Sequence, residues 1–344
     1  MSDYISHEDM MNIPATEVCD TSKLASNPVV SVIMMAYNHE TYIAQAIEGV
    51  VRQQCNFPIE LLIGEDCSTD RTRGICVEYQ KRYPKLIRLI TAETNVGMHK
   101  NTFRLLGRSK GRYVAICEGD DYWCDKRKLE KQVRMLDSHP GMNLCFSRVG
   151  VCQGHSEKVI TEWYPRREKQ CYALEDFISG RVTGVTCTVC FNREVVSTLP
   201  SFIEAGAMTD WPLLVLALVT GYAGYIPEML AVYRMHPNGA WSSATPERRY
   251  DGFKTINRLL RMHLGTKYYG CFDTSLAKAY CIYAEKSCVE GGKYGLFAAM
   301  TALNQCPVSP WRAGRTLVAF LIHIGLPRIY AGLLAAKVIR RMQH

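Results

Sequence analysis

The stretch VVSVIMMAYNHE, residues 29–40, joins a short apolar run to a polar turn. An apolar run of this length is typical of a parallel strand that is buried on both faces. The next segment, residues 41–53, places its apolar side chains at helical spacing. The stretch therefore predicts a buried strand, a polar loop and an amphipathic helix, in that order.

The same alternation of strand and helix continues along the chain. Further strands are predicted at 59–64, 86–91 and 113–117, and helices at 72–82 and 100–108. This order predicts a doubly wound α/β sheet with right-handed crossovers. The second half is less regular, with helices predicted at 126–138 and 210–220 and strands at 143–149, 184–192 and 229–234.

The expected organisation has three parts. Residues 1–28 show no clear period and are expected to form a mobile or loosely docked arm. Residues 29–245 hold the sheet, and residues 246–344 are expected to be helical.

Composition excludes several classes of protein. The 344 residues are 47% hydrophobic and 22% charged, which is ordinary for a globular chain and excludes disordered, collagen-like and coiled-coil proteins. Residues 1–20 are polar and acidic and lack the pattern of a secretory signal, so we expect a cytoplasmic location with reduced thiols. Cys187 and Cys190 form a C-x-x-C without a second pair at zinc-ribbon spacing, so burial is favoured over metal binding.

The positive charge is concentrated near the end of the chain. Lys and Arg number 41 against 33 Asp and Glu, and residues 291–344 contain no acidic residue. The basic residues there are interleaved with apolar segments at 317–326 and 329–339, which favours an anionic membrane surface over nucleic acid as a partner. Each segment is shorter than the roughly 20 residues needed to span a bilayer. They could lie in the interface on the inner face of the cell membrane, or they could pack onto the rest of the protein.

Acidic and polar loops follow the predicted strands. They read YNHE at 37–40, EDCSTD at 65–70, NVG at 95–97 and EGDD at 118–121. Ligands bind at the carboxyl ends of such strands, so we expect these loops to converge on one site. The carboxylates at 118–121 would repel one another unless a cation neutralised them, and their oxygens suit Mg²⁺ or Mn²⁺ shared with a diphosphate. The alternative is that these acids only cap helices.

Taken together, the four loops resemble those of the inverting family 2 glycosyltransferases of the GT-A fold, over residues 29–244. EDCSTD is similar to the family's Asp-Asp-Gly-Ser-Thr-Asp loop, NVG to its Asn-x-Gly and CEGDDYW to its metal motif. The resemblance implies a mixed sheet flanked by helices, followed here by a helical C-terminal extension. Glu118 stands where the family has Asp, which makes Asp120 the safer metal ligand.

The resemblance also implies roles for individual residues. The predicted nucleotide contacts are Ala36, Tyr37, Asn38, Glu40, Asp66, Asn95, Gly97, Glu118, Gly119 and Asp120. The predicted metal ligands are Asp120, Glu118 and His236, although His236 could equally be structural. The diphosphate or acceptor side is assigned to Asp121, Trp211, Arg234 and Trp241, with Arg234 as a phosphate contact.

Asp210 is the predicted catalytic base. It lies in MTDWPL, residues 208–213, which is similar to the acceptor-side segment that carries the family's catalytic Asp. A sugar hydroxyl that attacks an anomeric carbon must lose a proton, and a carboxylate can accept it. Asp210 also precedes a Pro in the first turn of a predicted helix, so it suits a cap as well.

The resemblance implies transfer of a sugar from a nucleotide-diphosphate sugar to a hydroxyl of a glycan or lipid-linked glycan acceptor. Two other classes of protein could share this fold. A sugar-nucleotide pyrophosphorylase would carry a Gly-rich basic loop after the first strand, where this chain has residues 37–40. A catalytically silent nucleotide-sugar-binding protein would be expected to lose the acids, whereas Asp66, Glu118, Asp120 and Asp210 are all present.

Overall fold

The computed structural model describes residues 5–20, 22–165, 168–205, 210–239, 242–279 and 282. Trp241 and the apolar segments at 317–326 and 329–339 lie outside the described residues. The chain divides into two units. The first consists of Met1–Leu174, Val182–Glu204 and Thr209–Ser242, and the second of Glu175–Arg181, Ala205–Met208 and Ser243–His344.

Helices and strands alternate in the first part of the chain, as the apolar runs predict. The elements are α1 His7–Asn12, β1 Thr16–Val18, β2 Val30–Ala36, α2 Ile43–Val51, β3 Ile59–Glu65, α3 Thr72–Arg82, β4 Ile87–Thr91, α4 Met98–Arg108 and β5 Tyr113–Ile116. The remaining elements are β6 Tyr122–Trp123, α5 Lys128–Ser138, β7 Met142–Gln153, β8 Thr161–Trp163, β9 Cys171–Tyr172, α6 Leu174–Ile178, β10 Cys190–Asn192, α7 Asp210–Ala217, β11 Tyr222–Met235 and α8 Pro246–Leu264.

One mixed sheet organises the first unit. Its strand order is β1-β4-β3-β2-β5-β10-β7-β11-β6, with β8 paired to β7 and β9 paired to β11. Strands β2, β3, β4 and β5 are parallel, whereas β10 runs antiparallel to both β5 and β7. The prediction of a mixed α/β sheet flanked by helices is confirmed. The carboxyl ends of the parallel strands share one edge, which is where the polar loops emerge.

Helix α2 shows how the apolar spacing produces packing. Ile43, Ala46, Ile47 and Val50 are fully buried and belong to the main core. A Cβ atom at Gly49 would lie 2.9 Å from the backbone nitrogen of Trp123, so α2 approaches β6 as closely as a glycine permits.

The N-terminal segment differs from the expected loose arm. The Ser6 side chain caps α1, and Met10 is 1% exposed. Strand β1 pairs with β4 at the edge of the sheet, and Arg88 lies 2.7 Å from Glu17 and 2.8 Å from Glu60. The prediction of a loose arm is therefore wrong for this segment, because a buried methionine and an ion pair attach it to the sheet.

The predicted strand at 184–192 is also shorter than expected. Residues Thr186–Thr188 form a 3₁₀ turn, and only Cys190–Asn192 pair as a strand. The Cys187 carbonyl accepts a hydrogen bond from the Trp123 indole at 2.9 Å instead of joining the sheet. Both cysteines of the C-x-x-C are buried free thiols, in agreement with the interpretation as core residues.

In the second unit, α8 begins as expected for a helical C-terminal region. The Thr245 side chain caps it by accepting a hydrogen bond from the Arg248 backbone N–H. The buried Asn257 amide donates to the Phe272 carbonyl at 3.2 Å and to Ser275 at 2.9 Å. Over the described ranges, no helix is both long enough and apolar enough to cross a bilayer.

Candidate active site

The loops that follow β2 and β3 are joined by hydrogen bonds. The Asn38 backbone N–H donates to the Ser68 hydroxyl at 3.0 Å, and the Thr69 backbone N–H donates to Asn38 Oδ1 at 2.9 Å. The Glu40 backbone N–H donates to Asp70 Oδ2 at 3.0 Å. The structure therefore brings the first two predicted loops together at the edge of the sheet.

Asp66 holds the third loop in place. Its Oδ1 accepts a hydrogen bond from the Val96 N–H at 3.1 Å, and its Oδ2 accepts one from the Gly97 N–H at 2.9 Å. The Asn95 amide donates back to the Asp66 carbonyl at 3.0 Å. Asp66 is 2% exposed, and its carboxylate shapes the Asn95–Gly97 turn, while its predicted contact with the nucleotide stays a prediction.

The end of β2 contacts the same Asp66 through its backbone. The Ala36 carbonyl accepts a hydrogen bond from the Asp66 N–H at 3.0 Å, and Ala36 is itself buried. Tyr37, the next residue, is 44% exposed. The Tyr37 side chain is therefore available to a ligand.

Asp120 is the meeting point of three segments of chain. Its Oδ2 lies 2.9 Å from Nε2 of His236 and 3.8 Å from Nε2 of His39. Burial raises the pKa of the Asp120 carboxyl, but the two imidazoles outweigh burial and hold that pKa below its usual range. His39 is not among the predicted site residues. Its position in the polar loop at 37–40 is the sequence feature that points to it.

The pKa of Glu118 is raised, in contrast to that of Asp120. Burial, together with the negative charges of Asp120 and Asp210, raises the pKa of Glu118 to about 7, against a hydrogen bond with Thr186. Its Oε2 is buried and accepts no hydrogen bond within the described part of the chain. A buried acceptor without a donor is costly, so this oxygen is suited to a ligand or cation.

The residues present fit a divalent cation. Considering only the described residues, no three His, Cys, Asp or Glu side chains form a ready metal cluster. Mg²⁺ and Mn²⁺ do not require one, since they are commonly bound through one or two protein groups plus substrate phosphates. Asp120 supplies a carboxylate, His236 an imidazole and Glu118 the unpartnered oxygen.

Asp121 and Arg234 are structural rather than exposed to ligand. Asp121 is 2% exposed, and its Oδ1 accepts a hydrogen bond from the Arg234 backbone N–H at 2.8 Å. The Arg234 guanidinium is also buried and donates to the carbonyls of Asp120, Gly154 and Ser156. Both groups hold β11 to the Asp120 loop in this structure, and their assignment to the diphosphate side stays a prediction.

Asp210 is the first residue of α7 and keeps access to solvent. Surrounding protein nevertheless raises the pKa of its carboxyl, against opposing hydrogen bonds from backbone N–H groups and the charge of His99. The negative charge of Asp210 also contributes to the raised pKa of Glu118, so the two carboxyls lie within electrostatic range of one another. Trp211 follows it and is half-buried.

Comparison with known proteins adds three likenesses. Residues 31–198 match the family described as Glycosyl transferase family 2. The uncharacterized protein Rv1520 of Mycobacterium tuberculosis is 41% identical over 222 residues, which cover 64% of this chain and 62% of that protein. The putative teichuronic acid biosynthesis glycosyltransferase TuaG of Bacillus subtilis is 29% identical, over 67% of this chain and 90% of that protein.

A solved structure shows the same fold. The crystal structure of Staphylococcus aureus TarS residues 1–349 in complex with UDP-GlcNAc superimposes with a TM-score of 0.61 over 91% of each chain, at 16% identity. The present chain spans 62% of the length of its mycobacterial relative.

Proposed function

Because this chain belongs to glycosyltransferase family 2, we propose that it transfers a sugar from a nucleotide-diphosphate sugar to a hydroxyl group of a glycan or lipid-linked glycan. One observation carries the proposal. Asp120, at the end of β5, lies 2.9 Å from His236, at the end of β11, and Asp210 is close enough to raise the pKa of the neighbouring Glu118. We therefore assign the cation site and the candidate base to one cleft.

The proposed reaction is a single displacement. Asp210 accepts the proton of the acceptor hydroxyl as its oxygen forms a bond to the anomeric carbon of the donor. The bond from that carbon to the diphosphate breaks, its electron pair leaves with the diphosphate oxygen, and the anomeric configuration inverts. The raised pKa of Asp210 suits this role, because a base works best when its pKa approaches the working pH.

A divalent cation bound through Asp120 and His236, with Glu118 beside it, would neutralise the negative charge that develops on the leaving diphosphate. We assign the other predicted nucleotide contacts to the loops at the same edge of the sheet. Tyr37 offers an exposed ring, while Asn38, Glu40, Asn95, Gly97 and Gly119 form the loops of the rim.

The nature of the acceptor is proposed from the relatives. A relative named for teichuronic acid biosynthesis supports a polymeric glycan rather than a small alcohol. The cytoplasmic location and the membrane contact through 317–326 and 329–339 stay predictions. Deletion of residues 311–344 followed by cell fractionation tests the membrane contact, because an unchanged membrane fraction would contradict it.

The proposed function is tested by a thermal-shift screen of UDP-, GDP-, dTDP- and CMP-sugars with and without Mn²⁺. We expect one nucleotide class to raise the Tm and Mn²⁺ to enlarge the shift, because ligand at 100 times its Kd stabilises a protein by about 2.7 kcal/mol. Stabilisation by none of them contradicts the proposal. Pyrophosphate-dependent formation of a nucleoside triphosphate from the bound sugar nucleotide would indicate a pyrophosphorylase, and binding without transfer or hydrolysis would indicate a silent binding protein.

A further inference from the structure

An exposed aromatic residue lies at the end of β8, next to the site just described. Trp163 is 44% exposed, and its ring centroid is 5.5 Å from that of Tyr233 on β11. Single exposed apolar side chains are ordinary on protein surfaces. Trp163 is different, because its ring contacts Tyr233 on β11, the strand that leads to His236.

The strand register shows which face of the sheet carries the two rings. Trp163 pairs with Val149 on β7, and Tyr233 pairs with Val151 on the same strand. Residues two apart on a strand share one face of a sheet, so the two rings lie on the same face of β7. Tyr233 is only three residues before His236.

The Tyr233 side chain is within electrostatic range of the carboxylates of the loop at 118–121. Burial, followed by the negative charges of Asp121, Asp120 and Glu118, raises the pKa of the Tyr233 phenol. Tyr233 is half-buried, and Trp163, which it contacts, is exposed. An occupant of the cleft that extends beyond Tyr233 in this direction meets the indole ring.

The size and chemistry of the surface select its occupant. A protein partner would need about 800 Å² of contact, far more than one indole ring can offer. Among the described neighbours, Arg148 lies 3.3 Å from Glu162 and 2.9 Å from Glu168, so these charges are paired with one another. A pyranose ring has an apolar C–H face that can cover an aromatic ring while its hydroxyls stay in water. An amphipathic surface of this kind suits a neutral sugar.

We propose that Trp163 is a platform on which a sugar ring of the acceptor stacks, at least one ring away from the hydroxyl that reacts. The acceptor is accordingly a saccharide of two or more rings rather than a bare lipid phosphate. This inference rests on the proposed glycosyl transfer for its place in the reaction, but stacking on Trp163 can be measured without any donor.

The test is isothermal titration of the full chain with four neutral tetrasaccharides, namely cellotetraose, maltotetraose, chitotetraose and mannotetraose. We expect at least one to bind the wild-type protein, and Trp163→Ala to weaken that binding by about tenfold, the loss of about 1.4 kcal/mol. Trp163→Phe, which keeps a ring, should recover most of the affinity. Met262→Ala, at a residue of α8 that is 70% exposed, is the control and should leave the Kd unchanged.

Binding by none of the four sugars, or equal binding by the wild type and Trp163→Ala, would overturn the platform. If Trp163→Ala loses its cooperative melting transition, Trp163→Leu gives the same comparison, because it keeps an apolar contact with Tyr233 but has no ring. The affinity for the sugar nucleotide is measured in parallel and should not change. If no sugar nucleotide binds but saccharide binding still depends on Trp163, the proposed function fails while the platform stands.

Discussion

His236 Nε2 lies 2.9 Å from Asp120 Oδ2, although 116 residues separate the two along the chain. Strands β10 and β7 stand between β5 and β11 in the sheet, so the pair is not formed by neighbouring strands. The contact is possible because the loop after β5 turns towards β11, where the Arg234 backbone N–H binds Asp121 Oδ1 at 2.8 Å. Two buried groups, the Arg234 backbone N–H and the Asp121 carboxylate, thus hold the loop in the position where one carboxylate and one imidazole meet.

That relationship predicts how the chain binds Mn²⁺. Asp120→Asn removes the charged oxygen ligand, and His236→Ala removes the imidazole, so each should weaken Mn²⁺ binding in the presence of the nucleotide. We expect about 10- to 100-fold for His236→Ala, the size of effect typical for groups that support a metal site. Titration calorimetry with MnCl₂ measures it. His7→Ala, at an exposed residue of α1, is the matched control, and equal affinity in the two histidine variants would remove His236 from the site.

Substitution of Asp210 separates chemistry from binding. Asp210→Asn keeps the size of the side chain but cannot accept the proton, so kcat should fall by about 10²- to 10⁴-fold while the Kd of the sugar nucleotide stays the same. Asp251→Asn, on the exposed face of α8, should change neither quantity. Normal turnover in Asp210→Asn would remove the base assignment.

The same carboxyl should control the acidic side of the pH profile. Because its surroundings raise the pKa of Asp210, the carboxylate form that accepts a proton is lost at a higher pH than for an ordinary Asp, whose pKa is about 3.9. We expect kcat/KM to fall as the pH decreases, with an apparent pKa above that value. A profile that stays flat down to pH values near 4 would contradict this assignment.

Much of this arrangement follows from local sequence, and some of it does not. The apolar run of β2 and the loops at 37–40 and 118–121 predict their own positions, because parallel strands release their loops at one edge. The role of Arg234 cannot be predicted this way, since its chemistry suits a phosphate equally well. What decides it is the presence of the Gly154 and Ser156 carbonyls, which a distant part of the chain supplies.

The N-terminal segment shows the same limit. The segment is too short to show a clear helical or strand period of apolar residues. Its docking depends on Arg88, which lies 71 residues after Glu17. Such pairings are set by the tertiary fold and leave no local pattern in the sequence.

Arg234 should contribute more to stability than to ligand binding. Arg234→Lys leaves several buried carbonyl acceptors without donors, so the free energy of unfolding should fall by at least about 2 kcal/mol. Urea denaturation measures the change. Arg52→Lys is the control, because the Arg52 side chain is 74% exposed and its ion pair with Glu48 lies at the surface. A control of that kind should lose less than about 1 kcal/mol. Equal effects in the two variants would contradict the structural role.

Docking of the N-terminal segment should depend on pH. Burial raises the pKa of Glu17, but its bonds to Arg88 outweigh burial and lower that pKa below the usual value. A lowered folded-state pKa gives stability that is present above the unfolded-state pKa of about 4.3 and is lost as the pH falls through the folded-state pKa. Glu17→Gln should therefore reduce stability at pH 6 and lose less than the wild type on acidification. Glu8→Gln, at an exposed residue of α1, should follow the wild type in urea denaturation at each pH.

Two glycines in neighbouring helices should respond to the same substitution with opposite signs. A Cβ at Gly49 would lie 2.9 Å from the backbone nitrogen of Trp123 and 3.0 Å from its carbonyl oxygen, so Gly49→Ala must push α2 away from β6. Because β6 directly follows the Asp120 loop, both stability and Mn²⁺ binding should weaken. A Cβ at Gly74 meets no described atom within 4 Å, so Gly74→Ala should stabilise α3 by about 0.5–1 kcal/mol. Urea denaturation of both variants measures the signs, and stabilisation by Gly49→Ala would show that the contact of α2 with β6 is looser than the structure has it.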